Sequence, residues 1–387
     1  MLAQGAASAS LANPGTARRI DDPRGPPRVC SLRELHPGLT SAAPPGLIKN
    51  MISRVAEHCF WLARYLERAE NTARVLEVNH TLLLDFHVPI DQQWRPLLII
   101  SGVHEYKDEP TADNVQEFMT WDRDNPFSIA SSLAWARENA RIIREVISAE
   151  MWERMNFYHL WMQGTDGRAI YHANRSEFYA QVRRINQLLH GIADATMSHG
   201  EAWEFFKLGT YLERASQTAR IMDVKYHTLL PQVEDVGSPI DNAHWVAILM
   251  SCSGYEPFHK KPRSSPIDPA TAVAEFLIFD DQFPRSVRRC LWECESAVAA
   301  AAGNPVGRDP TEPEQRLAAL LAYLDARNIP DVIRDGLHET LTKVVDSVHE
   351  IGSAIHAAFF AADVHAPGSK APASPAPAAM TQTQSQS

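Results

Sequence analysis

The chain has 387 residues, 45% of them hydrophobic, and a formal net charge of −10. That length suits one large domain or two moderate ones, and the acidic balance argues against a general nucleic-acid binder, which would carry a basic face. No apolar run reaches the length of a membrane span, so neither a nucleic acid nor a membrane is expected as partner. The five cysteines (Cys30, Cys59, Cys252, Cys290 and Cys294) are odd in number and form no C-x-x-C. Such usage fits a reduced, cytoplasmic compartment.

Residues 1–49 are rich in Pro, Gly, Ala and Ser and show no periodicity, so a disordered extension is expected there. The first residues never build the apolar stretch of a secretory signal. Met51 opens MISRVAEHCFWLARYLERAE, where helical periodicity starts at once, which makes Met51 a candidate for the true start. Apolar or small residues then fall at Ile52, Val55, Cys59, Leu62, Leu66, Ala69, Ala73 and Leu76, in steps of three and four. That spacing is a helix–helix seam. Pro126 is placed in the first turn of a following helix, where proline is tolerated. Residues 173–198 give a further helix. A second seam runs through Phe205, Leu208, Leu212, Ala215, Ala219, Met222 and Tyr226, with Pro284 again opening a helix and more helix over 311–361. Residues 363–387, rich in Pro, Ala, Gln and Ser, read as a disordered tail.

Within this order one stretch is written twice. YLERAENTAR at 65–74 returns as YLERASQTAR at 211–220, with eight of ten positions alike. VPIDQQW returns as SPIDNAHW, and EFMTWDRDNPFSI as EFLIFDDQFPRSV, which pairs Pro126 with Pro284 and Ser128 with Ser286. The offset widens from 146 to 158, as loop insertions would make it. A period this long is no solenoid. The expectation is an all-α, multi-helix bundle built from two internally repeated halves, 51–200 and 201–361.

The repeated segment also carries the candidate site. On a helix, Glu67 and Arg74 share one flank of the seam and Arg68 lies on the other. Their counterparts are Glu213, Arg220 and Arg214, whereas Arg64, Glu70 and Asn71 become Thr210, Ser216 and Gln217. Two readings stand. The charges form an ion-pair ladder between helices, or the arginine forks line a cleft for an anionic or peptide-like ligand. Farther on, ARENARIIREV sets Arg137, Arg141 and Arg144 on one helix face around Glu138, while the matched CLWECESAVAA has lost its arginines. Because buried charge must be paired, Arg137, Glu138 and Arg141 are the expected partners of Glu67, Arg68 and Arg74. Glu77-Val78-Asn79-His80 fits the Glu-x-x-His of a di-metal bundle once, but Asp223 to Tyr226 breaks the second copy, so no metal is expected. No phosphate loop, dinucleotide fingerprint or nucleophile elbow occurs. No cofactor is expected, and the sequence names no catalytic residue.

The runs MISRVAEHCFWLARYLERAENTARVLEVNHTLLLD and NPFSIASSLAWARENARIIREVISAEMWERMN resemble the bacterial alpha-E domain family, over about residues 51–361. The resemblance implies that Glu67 is the family's recurrent glutamate, with Glu213 its internal counterpart. It also implies a setting beside circularly permuted ATP-grasp proteins that look like peptide or amide ligases, often with a transglutaminase-like protein. The implied role is a non-catalytic helical component that binds the ligase or its peptide substrate. The alternative is an enzyme in which Glu67 is general acid or base beside arginines that orient a carboxylate substrate. The Pro-rich stretch before Met51 departs from the usual family start.

Overall fold

The computed structural model describes residues 45–82, 90–103, 106–227, 239–262, 268–303 and 308–361. Among these the chain is all α-helix, with no strand. The helices are α1 (Pro45–Leu82), α2 (Ile90–Ile100), α3 (Ala112–Trp121), α4 (Ile129–Ile142), α5 (Ala149–Gln163), α6 (Thr165–Ala173) and α7 (Arg175–Thr196). They continue as α8 (Glu201–His227), α9 (Pro239–Ser251), α10 (Tyr255–Lys260), α11 (Pro269–Phe279), α12 (Val287–Ala301), α13 (Glu312–Asp325), α14 (Ile329–Asp335) and α15 (Leu337–Ile355). A π turn over His356–Phe360 closes the series.

Helix starts follow the cap residues in the sequence. Thr111, Ser128, Ser148, Asn174, Asp268 and Ser286 each accept a hydrogen bond from the backbone N–H three residues on, which satisfies a donor the first helical turn leaves free. Ser128 and Ser286 are the serines matched between the two copies. The structure corrects the placing of Pro126 and Pro284. Both sit in the turn ahead of these caps rather than in the helix, because the serine needs an extended backbone to cap. It also corrects the start of order. Helix α1 begins at Pro45, so residues 45–49, expected in the disordered extension, are helical; proline suits a first helical position, where no N–H donor is needed. Residues 1–44 and the tail 363–387 lie outside the described residues.

Helices α1 and α8 pack on each other along the two seams. They cross where Gly209 meets Phe60: a Cβ on Gly209 would lie 2.2 Å from the Phe60 carbonyl oxygen. Helices α4 and α7 flank α1, as α12 and α15 flank α8. Helix α2 also reaches α8, and α9 reaches α1, so each long helix is met by the helix that follows the other in the chain. The larger core joins Cys59, Leu62 and Leu66 to Phe205, Leu208, Leu212, Cys290 and Cys294. A second core gathers Trp94, Trp121, Tyr171, Phe178 and Tyr179 round the far part of α1.

Candidate functional site

Glu67 and Glu213 flank their seams, so each is covered by the facing helix. Glu67 is 0% exposed and Glu213 2%. Arg214 of α8 donates to both oxygens of Glu67, from Nε at 3.0 Å and Nη2 at 2.8 Å. Arg68 of α1 does the same to Glu213, at 2.8 and 3.1 Å. Each glutamate then takes a second guanidinium, from a different source. Arg285, in the turn before α12, donates to Glu67 at 2.7 Å. Arg64, one turn back on α1, donates to Glu213 at 2.8 Å. Gln217 adds a further donor to Glu213 at 3.0 Å.

These pairs set the protonation state. Burial alone would raise the Glu67 carboxyl, but Arg214 and Arg285 outweigh it and hold the group well below the usual carboxylate range. Burial acts likewise on Glu213, and Arg68 and Arg64 overcome it. Both glutamates are therefore fixed anions, unsuited to giving up a proton.

The surroundings of the two differ. Around Glu67, Arg285 also donates to Asn71 at 2.9 Å and to Glu70 at 3.0 Å, Arg74 pairs with Glu70 within α1, and His190 of α7 places Nε2 at 3.7 Å. At the position matching Arg285 stands Phe127, whose ring lies 5.2 Å from the Arg68 guanidinium. At the position matching Arg64 stands Thr210, which bonds its own helix at Phe206. Arg220, the counterpart of Arg74, has Ser216 at 3.4 Å where Arg74 has Glu70; burial lowers the pKa of both arginines.

Of the residues expected at the site, Glu67, Arg68, Arg74, Glu213, Arg214 and Arg220 come together in the α1–α8 interface. Arg137, Glu138 and Arg141 do not. Helix α4 turns its small residues Ala136 and Ala140 inward, both 0% exposed, and this leaves the charged positions outside. Arg137 donates to Asn156 of α5 at 3.2 Å and lies over Trp152. Arg141 pairs with Glu138 on the surface at 2.8 Å. The partners missed from the sequence are Arg285, Arg64, Glu70, Asn71 and His190. Arg285 had a signal: an arginine in a matched turn where the other copy has phenylalanine.

Other chemistry is sparse among the described residues. Burial pushes the thiols of Cys59, Cys252 and Cys290 up to about 12, and Cys294 well above its ordinary value, so they are not nucleophiles at neutral pH. Among the described residues no group of three or more His, Cys, Asp or Glu is placed to hold a metal. Glu77 pairs with Arg183 at 2.8 Å, and His80 is half-buried. Beside the site a narrow cleft is lined by Asn71, Thr72, Ser101, Met119, Gln217 and Ile221, among others; it has room for a water molecule or so rather than a metabolite. Among the described residues no helix is long and apolar enough to cross a membrane.

A family model described as Alpha-E, a predicted alpha-helical domain with a conserved ER motif, matches residues 51–360. The chain has Glu-Arg steps at 67–68, 153–154 and 213–214. The middle one is exposed on α5; the other two interlock as described. An uncharacterized protein of Mycobacterium bovis and one of Mycobacterium tuberculosis are each 23% identical over 322 residues, covering 76% of this chain and 35% of theirs. The chain thus matches about a third of the length of these relatives. No solved structure matches it.

Proposed function

The chain belongs to the Alpha-E family, and from that premise we propose that it is a helical binding component, not a catalyst, of a peptide- or amide-ligase system. One observation carries the non-catalytic half of this reading. The Glu-Arg steps at 67–68 and 213–214 are consumed in contacts between α1 and α8, with Glu67 wholly enclosed and doubly paired. A general acid or base has to meet its substrate, and the catalytic alternative would need Glu67 to do so. The length of the relatives supports the binding half, since the matched region is there one part of a much longer chain. The family resemblance supplies the partner class: an ATP-grasp-type ligase, its peptide substrate, and a transglutaminase-like protein as a second associate.

The test mixes the purified chain with a circularly permuted ATP-grasp protein of the same organism. Calorimetry reads binding, and nucleoside-diphosphate release reads ligase turnover on peptide. A complex with altered turnover, and no turnover by the chain alone, supports the proposal. Absence of a complex counts against it, as does turnover by the chain alone that Glu67→Gln abolishes.

A further inference from the structure

The arginines of α4 that stay outside the α1–α8 interface border a surface that the second copy does not repeat. Arg137 and Arg144 both lie over the Trp152 ring of α5, at 5.4 and 5.0 Å. Arg137 also donates to Asn156, and Arg144 makes no hydrogen bond or ion pair among the described residues. The His159 pKa is lowered by burial and then by Arg137 and Arg123, so both guanidinium groups lie close to that ring. Arg123 donates to the Ala130 carbonyl, while Arg141 and Glu138 pair with each other. Farther round α5, Phe157 and Leu160 are 57% and 58% exposed, more than any other large apolar side chain among the described residues. Three residues apart, they share the outward helix face.

The fold does not require this surface. Aligned on the caps Ser128 and Ser286, Asp281 takes the place of Arg123, Glu295 that of Arg137 and Ala302 that of Arg144. The buried Met151, Met155 and Met162 of α5 align with the buried Pro313, Leu317 and Leu324 of α13. That puts Ala319 at the place of Phe157 and Ala322 at that of Leu160. Asp281, Glu295, Ala319 and Ala322 are all exposed. Around them Arg288 pairs with Asp325, Arg289 with Glu293 and Arg308 with Glu314. Asp281 and Glu295 have no cation among the described residues.

One chain therefore carries a cationic face with two protruding apolar side chains and an acidic face with alanines at the same places. The faces are complementary in charge and in relief. Helix α4 flanks α1 and α12 flanks α8, so they belong to different flanks of the α1–α8 pair. The acidic surface that fits the arginines is present on the chain itself, which favours a second copy as occupant over an unrelated acidic protein.

We propose that the α4–α5 face of one copy docks on the α12–α13 face of another. Arg123, Arg137 and Arg144 then meet Asp281 and Glu295, and Phe157 and Leu160 seat on Ala319 and Ala322. Each copy offers both faces, so the contact is head-to-tail and repeats from copy to copy until a ring closes. Helices of 14 and 15 residues are about 22 Å long. A face two such helices wide is small for a specific interface, so the contact is weak and salt-sensitive. This does not rest on the ligase reading.

The experiment is sedimentation equilibrium of the full chain from roughly 10 to 500 µM, which brackets a weak contact, at about 50 and 500 mM salt. The average mass should rise with concentration at low salt and fall back toward one chain at high salt. Phe157→Asp with Leu160→Asp blocks the first face, and Ala319→Glu with Ala322→Glu blocks the second. All four positions are exposed, so circular dichroism should show both variants folded. Arg137→Glu with Arg144→Glu is a second block of the first face and should act alike. Each blocked variant should stay single on its own. Mixed in equal amounts, the apolar-blocked and the alanine-blocked chains keep one intact contact and should stop at a dimer. An unaltered chain that stays single overturns the proposal and leaves the arginine face to another acidic partner. A blocked variant that associates on its own overturns it too, because a face would then pair with its own kind. So does a mixture that fails to associate, or an association that salt leaves unchanged.

Discussion

Glu67 of α1 and Arg214 of α8 make a two-point ion pair, and Glu213 of α8 with Arg68 of α1 makes the same pair in reverse. Each helix therefore offers an acid and, one residue on, a base, and takes the opposite from its neighbour. Consecutive helical residues point about 100° apart, so one step cannot pair with itself but two facing steps can pair with each other. Any slip of α1 along α8 breaks both pairs at once and strands two buried carboxylates and the two partly buried arginines that face them. The Glu-Arg step is in this sense a register device, the best-supported use of buried ion pairs.

Removing one member should be costly. Glu67→Ala leaves Arg214 and Arg285 facing a void, and the expected loss is about 3–5 kcal/mol of unfolding free energy, read by urea denaturation. The partners can be told apart by a double-mutant cycle. Glu67→Gln with Arg285→Gln should show coupling beyond about 0.5 kcal/mol. Glu67→Gln with Arg74→Gln should show less, because Arg74 bonds Glu70 and not Glu67. Equal coupling in the two cycles would contradict the geometry.

The surface trio supplies the contrast. Arg141 and Glu138 have side chains 51% and 47% exposed, so Arg141→Ala should change stability by no more than about 0.5 kcal/mol. Thermal melts of Arg141→Ala and Arg285→Ala, run together, check this. A larger loss from Arg141→Ala would return that residue to the site.

How far the sequence could be read follows from the same residues. The seam through Cys59, Leu62 and Leu66 was legible because a buried stripe has a fixed period. So was the burial of Glu67 and Glu213, which flank that stripe. The capping serines were visible as a matched pair, Ser128 and Ser286. Which arginine meets which glutamate was not legible, since that depends on how helices distant in sequence cross. Periodicity gave α4 a face with three arginines but could not say that Ala136 and Ala140 form the face that packs. Arg285 was hidden for another reason. Positions that differed between the copies read as drift, yet Arg285 for Phe127 and Arg64 for Thr210 are alternative ways to bring a second guanidinium to a glutamate.

Acid should weaken the fold in two stages. Burial lowers the His190 pKa more than Glu67 raises it, so the folded state prefers the neutral ring. A base with a depressed folded pKa contributes stability above its unfolded value, near 6.5, and loses it as pH falls through that region. Glu67 and Glu213, held below their ordinary value of 4.5, contribute above that pH and lose the contribution as pH falls further. Urea midpoints at about pH 7.5, 5.5 and 3.5 should fall at each step, bracketing the two ordinary values. His190→Gln should flatten the first fall and leave the second. A midpoint that rises between the first two points would mean the sign is wrong.

Two glycines test the α1–α8 crossing through opposite signs. Alanine is preferred over glycine inside a helix by about 1 kcal/mol. Gly191, within α7, has open space where a Cβ would go, so Gly191→Ala should raise the melting temperature. Gly209, within α8, meets the backbone of Phe60, with the carbonyl oxygen at 2.2 Å and its carbon at 3.0 Å. Backbone cannot swing aside as a side chain can, so the helices must part. Overpacking of this kind costs about 1–3 kcal/mol or more, which outweighs the helical preference. Glu213 sits one turn beyond Gly209, so parting the helices also lengthens its bonds to Arg64 and Arg68. Gly209→Ala should therefore lower the melting temperature, and pairing it with Glu213→Gln should cost less than the two losses added. If Gly209→Ala stabilises the protein as Gly191→Ala does, α1 and α8 do not cross at Phe60, and the interlocked Glu-Arg steps lose the close approach they depend on.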